Sequence, residues 1–143
     1  MSRRQNSGFS LIELLLVVAI MGTIAGIAIP AFLGQRRRAR LIGDAQANAA
    51  VLRIQLETVK ADAGLYGAAG TTFTWTYLGA VSAGASVFNF TPKGNSRMNY
   101  SVSLPLAGSG LTYNISVTDP TLGHNGTVVF TTNQNGSGVI TPY

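Results

Sequence analysis

With 143 residues, no cysteine and only 10% charged side chains, the chain provides one small domain and one membrane-length segment. The missing cysteines exclude disulfides, thiolate metal sites and lipidated cysteines. The formal charge of +5 is local rather than general, because Arg3 and Arg4 open the chain and Arg36, Arg37, Arg38 and Arg40 form a collar.

Met1 to Ser7 is a short polar, basic stretch, followed by Gly8. Phe9 to Leu33 is then almost wholly apolar, with Glu13 its only ionisable residue. As a helix at ~1.5 Å per residue this run is about 37 Å long, enough to cross a hydrocarbon core of about 30 Å. A secretory signal has an apolar region of only about 7–15 residues, with a small-x-small cleavage site behind it. Ile29-Pro30-Ala31-Phe32 is a poor context of that kind, so the segment reads as retained.

A carboxylate inside such a segment costs a few kcal/mol unless a cation meets it. Arg4 is about 13 Å away along a helix, and Arg36 is at the far end. A cut after Gly8 would place a new amine on Phe9, one helical turn from Glu13. That amine could pair with Glu13 of the same chain or of a neighbouring copy, and in low dielectric either pairing offsets much of the desolvation. Further along, Pro30 cannot donate to the Gly26 carbonyl, and Gly22 and Gly26 soften the same stretch. The counterparts of the arginine collar are left open by the sequence. Anionic headgroups or phosphate suit it, and so does a solvated helix face or a salt bridge to another copy. Nucleic acid is a further counterpart that nothing in the sequence supports.

Leu41, Ala45, Ala49, Leu52, Leu56, Val59 and Ala63 follow at helical spacing, with Asp44, Gln46, Asn48, Arg53, Gln55 and Lys60 off that stripe. No turn signal interrupts the chain, so one helix is predicted from about Phe9 to about Asp62, ended by Gly64 and Gly67. From Thr71 the period becomes two. Phe73, Trp75 and Tyr77, then Met98 to Leu106, then Leu111 to Val117 alternate with Thr, Ser, Asn and Pro. These are one-sided antiparallel strands, with turns expected at Gly108-Ser109-Gly110, Asn125-Gly126 and Asn135-Gly136. Pro105 marks an edge or a strand end. The sheet is predicted to cover the apolar stripe of the helix, giving an α+β fold.

His124 stands alone, and beyond Asp62 the acidic residues reduce to Asp119. No carboxylate pair, metal cluster, nucleophile-base pair or phosphate loop can be assembled from such material. No enzymatic activity, cofactor or metal is expected.

Gly8-Phe9-Ser10-Leu11-Ile12-Glu13, with its basic leader and apolar run, resembles the processing site of type IV pilins and of the pseudopilins of type II secretion. The close resemblance covers about Ser2 to Arg40, and beyond it the likeness is architectural. It implies four segments: a cleaved leader (1–8), a transmembrane and filament-core helix (9–33), an amphipathic helix (34–63) and a head of glycine-rich loop and sheet (64–143). It implies cleavage after Gly8 and N-methylation of Phe9 by a prepilin peptidase, with Glu13 neutralising a neighbour's Phe9 amine during assembly. A stretch bracketed by glycine and proline, here Gly22 to Pro30, unwinds in assembled filaments of the family.

The resemblance also implies an inner-membrane precursor with its leader inside, although the collar then opposes the positive-inside tendency. An assembly platform and an ATPase motor would extrude it into a homo-oligomeric surface fibre. The expectation is the major pilin of a type IV pilus, serving adhesion, motility or DNA uptake. The alternatives are a type II secretion pseudopilin or a minor pilin that binds a surface or DNA. Major pseudopilins carry an acidic calcium loop near the C-terminus, where this chain has only Asp119. Many pilins close that region with a disulfide, and here strand pairing near Gly126 to Ile140 is expected to replace it.

Overall fold

One helix runs through the change of pattern. The computed structural model describes residues 9–94, 97–121 and 126–141. Its contacts divide the chain into two units, Met1–Arg38 and Ala39–Tyr143. The leader with Arg3, Arg4 and Gly8, and also His124 and Asn125, lie outside the described residues.

Helix α1 spans Leu11–Ala63, close to the predicted limits. Its portion in the first unit stays helical through Gly22, Gly26 and Pro30. The unwinding implied for this stretch belongs to an assembled fibre, and in the single chain the helix is intact. Thr23 Oγ1 donates to the Ile20 carbonyl at 2.8 Å, as mid-helix hydroxyls do when they bend back on the preceding turn.

In the second unit α1 buries Ala45, Ala49, Leu52 and Leu56, with Leu41 and Val59 packed at the margin. These are the central members of the predicted stripe, while Ala63 at its end is exposed. The helix stops where a left-handed residue is required. Gly64 has φ +77° and donates its amide to Lys60 O at 2.8 Å, closing the last turn.

Five strands form one antiparallel meander in chain order: β1 (Thr72–Trp75), β2 (Asn99–Ser103), β3 (Asn114–Asp119), β4 (Thr127–Asn133) and β5 (Gly138–Ile140). Alternation of side chains sets the register. Phe73 faces Val102, Val102 faces Ile115, Trp75 faces Tyr100, Tyr100 faces Val117, and Val117 faces Phe130. All of these are buried against the helix stripe. A bulge follows: Thr118 pairs with Val128, leaving Val129 as the extra residue, and Val129 and Phe130 are both buried.

The strands are shorter than the alternation suggests. Tyr77 lies past the end of β1 and is 41% exposed, and Leu111 precedes β3. Between β2 and β3 the chain makes a 3-10 turn at Leu106–Gly108 before Ser109 and Gly110 reverse it with positive φ. The reversal lies where it was expected, but the connection is longer than a tight hairpin. Gly110 is obligatory there, because a Cβ would meet the Gly67 carbonyl oxygen.

The β1–β2 connection brings in Phe88 and Phe90, which the alternation did not flag. Phe88 packs edge-on to Phe73 at 5.0 Å, and Phe90 bridges Trp75 and Tyr100 at 5.3 and 5.5 Å. At the other end β5 pairs with β4, as expected of the cysteine-free terminus. The Asn135-Gly136 turn carries φ +77° at Gly136, whose amide donates to Asn133 O at 3.0 Å. The Phe130 ring lies over Gly138, where a Cβ would stand 2.8 Å from Cζ.

Candidate assembly interface

Among its described residues the first unit has no core of its own. Every residue from Phe9 to Leu33 is exposed, including Phe9 at 81%, Leu11 at 77% and Ile27 at 80%. Such a surface is stable only in lipid or against other apolar surface. α1 is long and apolar enough to cross a membrane, and its apolar window lies near the N-terminus.

Glu13 sits in the first turn of α1. The helix begins at Leu11, so Ser10 is its N-cap and Glu13 its third residue. Ser10 N donates to Glu13 Oε2 at 3.1 Å, and Glu13 N donates to Ser10 O at 3.1 Å. This is the carboxylate half of a capping box. The position also places the negative charge at the positive end of the helix dipole. Sequence reasoning weighed Glu13 against cations and against snorkelling to the headgroups and missed this partner, although Ser-x-x-Glu before an apolar run is its signature. The capping bond holds the carboxylate beside Phe9, where a new amine would arise. Gly8, the other residue of the expected cleavage pair, lies outside the described residues.

Apart from the adjoining backbone of the helix itself, Gly22 and Gly26 have nothing within 4 Å of where a Cβ would stand, and the same holds for Gly34 and Gly43. Their smallness therefore serves no packing inside the chain. It leaves the backbone open to close approach by another helix.

The face of α1 turned away from the sheet continues this character in the second unit. At 3.6 residues per turn, Gly43, Ala47, Ala50, Ile54 and Ala61 share that side, and all are exposed, Ile54 by 65%. The charges of this half, among them Arg53, Glu57 and Lys60, fall on the flanks. Of the collar, Arg36, Arg37 and Arg40 are exposed and Arg38 is partly covered.

Two polar clusters fasten the head to α1, and neither was singled out from the sequence. Asn48 is buried. Its Nδ2 lies 2.7 Å from Lys93 O, 2.9 Å from Tyr100 Oη and 3.0 Å from Asp44 O, and its Oδ1 accepts from Lys93 N at 2.9 Å. The spacing Ala45, Asn48, Ala49, Leu52 places it on the buried stripe, which was the available signal.

In the second cluster Tyr66 Oη donates to Glu57 Oε1 at 2.8 Å and accepts from Lys60 Nζ at 3.3 Å, and the Tyr113 ring packs edge-on to Tyr66 at 4.7 Å. Burial, and then the bond and charge of Glu57, push the Tyr66 phenol up to about 12. Burial also raises the Tyr113 phenol, against the pull of Arg53. Arg53 reaches the β4–β5 turn, its Nη2 being 3.1 Å from where a Cβ on Gly136 would stand. Among the described residues, no group of three or more His, Cys, Asp or Glu side chains comes together.

Residues 3–29 match the prokaryotic N-terminal methylation motif. The chain is 42% identical over 55 residues to the type II secretion system core protein G of Pseudomonas aeruginosa, a match that covers 36% of this chain and 39% of that relative. The match thus spans about two fifths of the relative's length. No solved structure matches the chain. Motif and relative together support the pilin and pseudopilin family on the strength of the N-terminal segment.

Proposed function

Starting from an N-terminal segment of the pilin and pseudopilin type, we propose that this protein is the major structural subunit of a type IV pilus. The observation that carries the reading is the wholly exposed apolar half of α1, with its single carboxylate held one turn from Phe9. In the family such a precursor is cut by a prepilin peptidase, methylated on the new amine and assembled into a filament. Here the cut falls between Gly8 and Phe9, and the methyl group goes on Phe9.

The physical logic follows from the exposures. Moving residues 9–33 from lipid into a bundle of like helices leaves their apolar burial roughly unchanged. Register must then come from the few polar groups. A Phe9 ammonium of one copy and Glu13 of the next satisfy each other in low dielectric, and neither is tolerable there alone. Glu13 gives up only the Ser10 amide, one uncharged bond. Gly22, Gly26 and Pro30 supply the stretch able to unwind, and the outward face of α1 from Gly43 to Ala61 extends the helix contact into the head. Extraction from the membrane needs the inner-membrane platform and its ATPase motor, and adhesion, motility or DNA uptake are tasks of the finished fibre. We infer no catalytic role for the chain.

Glu13→Ala is expected to leave membrane insertion intact and to reduce sheared surface filaments by about tenfold or more, the loss of one desolvated ion pair. Quantitative blotting of sheared and membrane fractions reads this. Filaments at the parental yield would overturn the mechanism.

The similarity to a type II secretion core protein favours a second reading, a pseudopilin. Against it, the acidic calcium loop of that group reduces here to Asp119. That residue is buried, and its Oδ1 is engaged by the Thr121 amide at 2.8 Å and the Thr121 hydroxyl at 2.5 Å. A calcium-dependent rise in Tm, with the protein retained in the inner membrane, would establish the pseudopilin.

A further inference from the structure

The arginine collar is the charged feature of the chain that filament assembly leaves unused. Arg36, Arg37 and Arg40 are exposed, and Arg38 is partly covered. They stand just beyond Leu33, where the exposed apolar run ends. Arg36 and Arg40 are one helical turn apart, so two like charges share a face of α1. Such a pair weakens a helix unless an anion lies beside it.

The chain holds few anions to supply. No acidic residue occurs between Glu13 and Asp44. Of the five acidic residues, Glu13 accepts from the Ser10 amide beside the expected Phe9 amine, and Glu57 accepts from Tyr66. Asp119 is buried and taken up by Thr121. The Asp44 carboxylate follows Arg40 by four residues but lies against Gly94, its Oδ2 2.7 Å from where a Cβ would stand. That leaves Asp62, exposed near the far end of α1, against four arginines. A neighbouring copy brings the same set, so contacts between copies do not neutralise the collar.

We propose that the collar binds the phosphodiester headgroups of anionic phospholipid and so holds the unassembled subunit at the far leaflet of its membrane. The inference rests on the membrane-anchored precursor of the reading above. Length favours it. Arg36 lies about 40 Å from Phe9 along a helix rising ~1.5 Å per residue, and a bilayer with both headgroup layers is about 40–45 Å thick. With the Phe9 end in one headgroup layer, the collar falls in the other. Direction favours it too. Each Cα–Cβ bond of a helix tilts toward the N-terminus, so these side chains set out back toward the span. The residue type agrees, because a guanidinium is a planar fork that grips two phosphate oxygens at once.

Basic clusters next to a span attract anionic lipid. Positive charge beyond the span also works against a leader-inside orientation, and a bound anionic headgroup offsets it. Nucleic acid presents the same phosphodiester. The lipid has the advantage of place: the span itself carries the collar into the headgroup layer, at an effective concentration that a soluble polyanion does not reach.

Spin-labelled lipids test this on the full chain reconstituted in phosphatidylcholine vesicles. Electron paramagnetic resonance reads how much labelled phosphatidylglycerol, against labelled phosphatidylcholine, is held at the protein surface. The parent should prefer phosphatidylglycerol. Combining Arg36→Gln, Arg37→Gln and Arg40→Gln should lower that preference at least about fivefold, the worth of a single arginine at an anionic surface. Arg3 and Arg4 act in parent and variant alike, so the difference belongs to the collar. Molar salt, which shortens the screening length to ~3 Å, should lower the parent's preference as well. Lys93→Gln with Arg97→Gln, two charges removed from the β1–β2 connection, should leave it unchanged.

A parent without the preference, or a preference that survives the triple substitution or molar salt, overturns the proposal. In each case a chain that floats with the vesicles leaves the membrane reading standing. Should the triple variant fail to insert, the salt titration of the parent decides. Parental vesicles that show no lipid preference but capture a fluorescent oligothymidylate through the collar overturn the proposal in favour of nucleic acid. A parental chain that does not float removes the membrane reading and the headgroup site together.

Discussion

Asn48 is the residue on which the head's attachment to α1 turns most directly. Its side chain takes up Lys93 on both amide and carbonyl and touches Tyr100 Oη, the last of these contacts fully buried. Asn48→Ala would remove the side-chain partner of the Lys93 amide and carbonyl and a buried partner of Tyr100 Oη, at about 1–3 kcal/mol for such losses. For a head of about 100 residues a loss of about 2 kcal/mol lowers Tm by about 10 °C. Differential scanning calorimetry in detergent checks this, and an unchanged Tm would show that water replaces the side chain at no cost.

Tyr66 gives the head a dependence on alkaline pH. Its phenol titrates near 12 in the fold, against about 10 in an unfolded chain. The folded state therefore favours the protonated form. The stabilisation is fully present below pH 10 and is lost as pH rises from 10 to 12. Tyr113 shifts in the same direction. Tyr66→Phe keeps the ring but cannot ionise, so urea midpoints of this variant should fall less steeply between pH 9 and 11 than those of the parent.

At the scale of the elements, α1 shows how one helix serves two solvents. Its first half is apolar all round, as befits lipid or a helix bundle. Its second half is divided between a face buried under the sheet and a small, uncharged face turned outward. Both halves were legible in the sequence as a change of pattern without a turn. The inward residues of the strands were equally legible, because side chains alternate strictly. Where the alternation overran, at Tyr77 and at Leu111, the cause was pairing: a strand ends where its neighbour ends, and the neighbour is distant in sequence. The same limit hid Phe88 and Phe90, which reach the core from an irregular connection with no period to reveal them.

At the scale of the whole molecule, the head keeps its core to itself and the apolar half of α1 has none. All the fully buried core residues lie at Ala45 or later. A chain beginning at Gln35 is therefore expected to fold with a Tm within a few degrees of the full chain and to stay soluble without detergent, while the full chain requires detergent or lipid. Thermal melts and sedimentation of the two forms test this. A truncated chain that fails to fold would mean that the first half of α1 stabilises the head.

The sequence by itself determined the features that depend on local pattern. Hydropathy and length marked the span, helical and two-fold periods marked α1 and the strands, and Gly64 marked the end of the helix through its tolerance of positive φ. A lone Glu13 near a Gly8-Phe9 junction pointed to the processing and assembly chemistry. Only the tertiary structure decided what depends on residues far apart in the chain: the meander order, the bulge at Val129, and the burial of Asn48 against Lys93 and Tyr100. Such contacts arise when segments of different period are brought together, and no single segment carries the information about which partner it will meet.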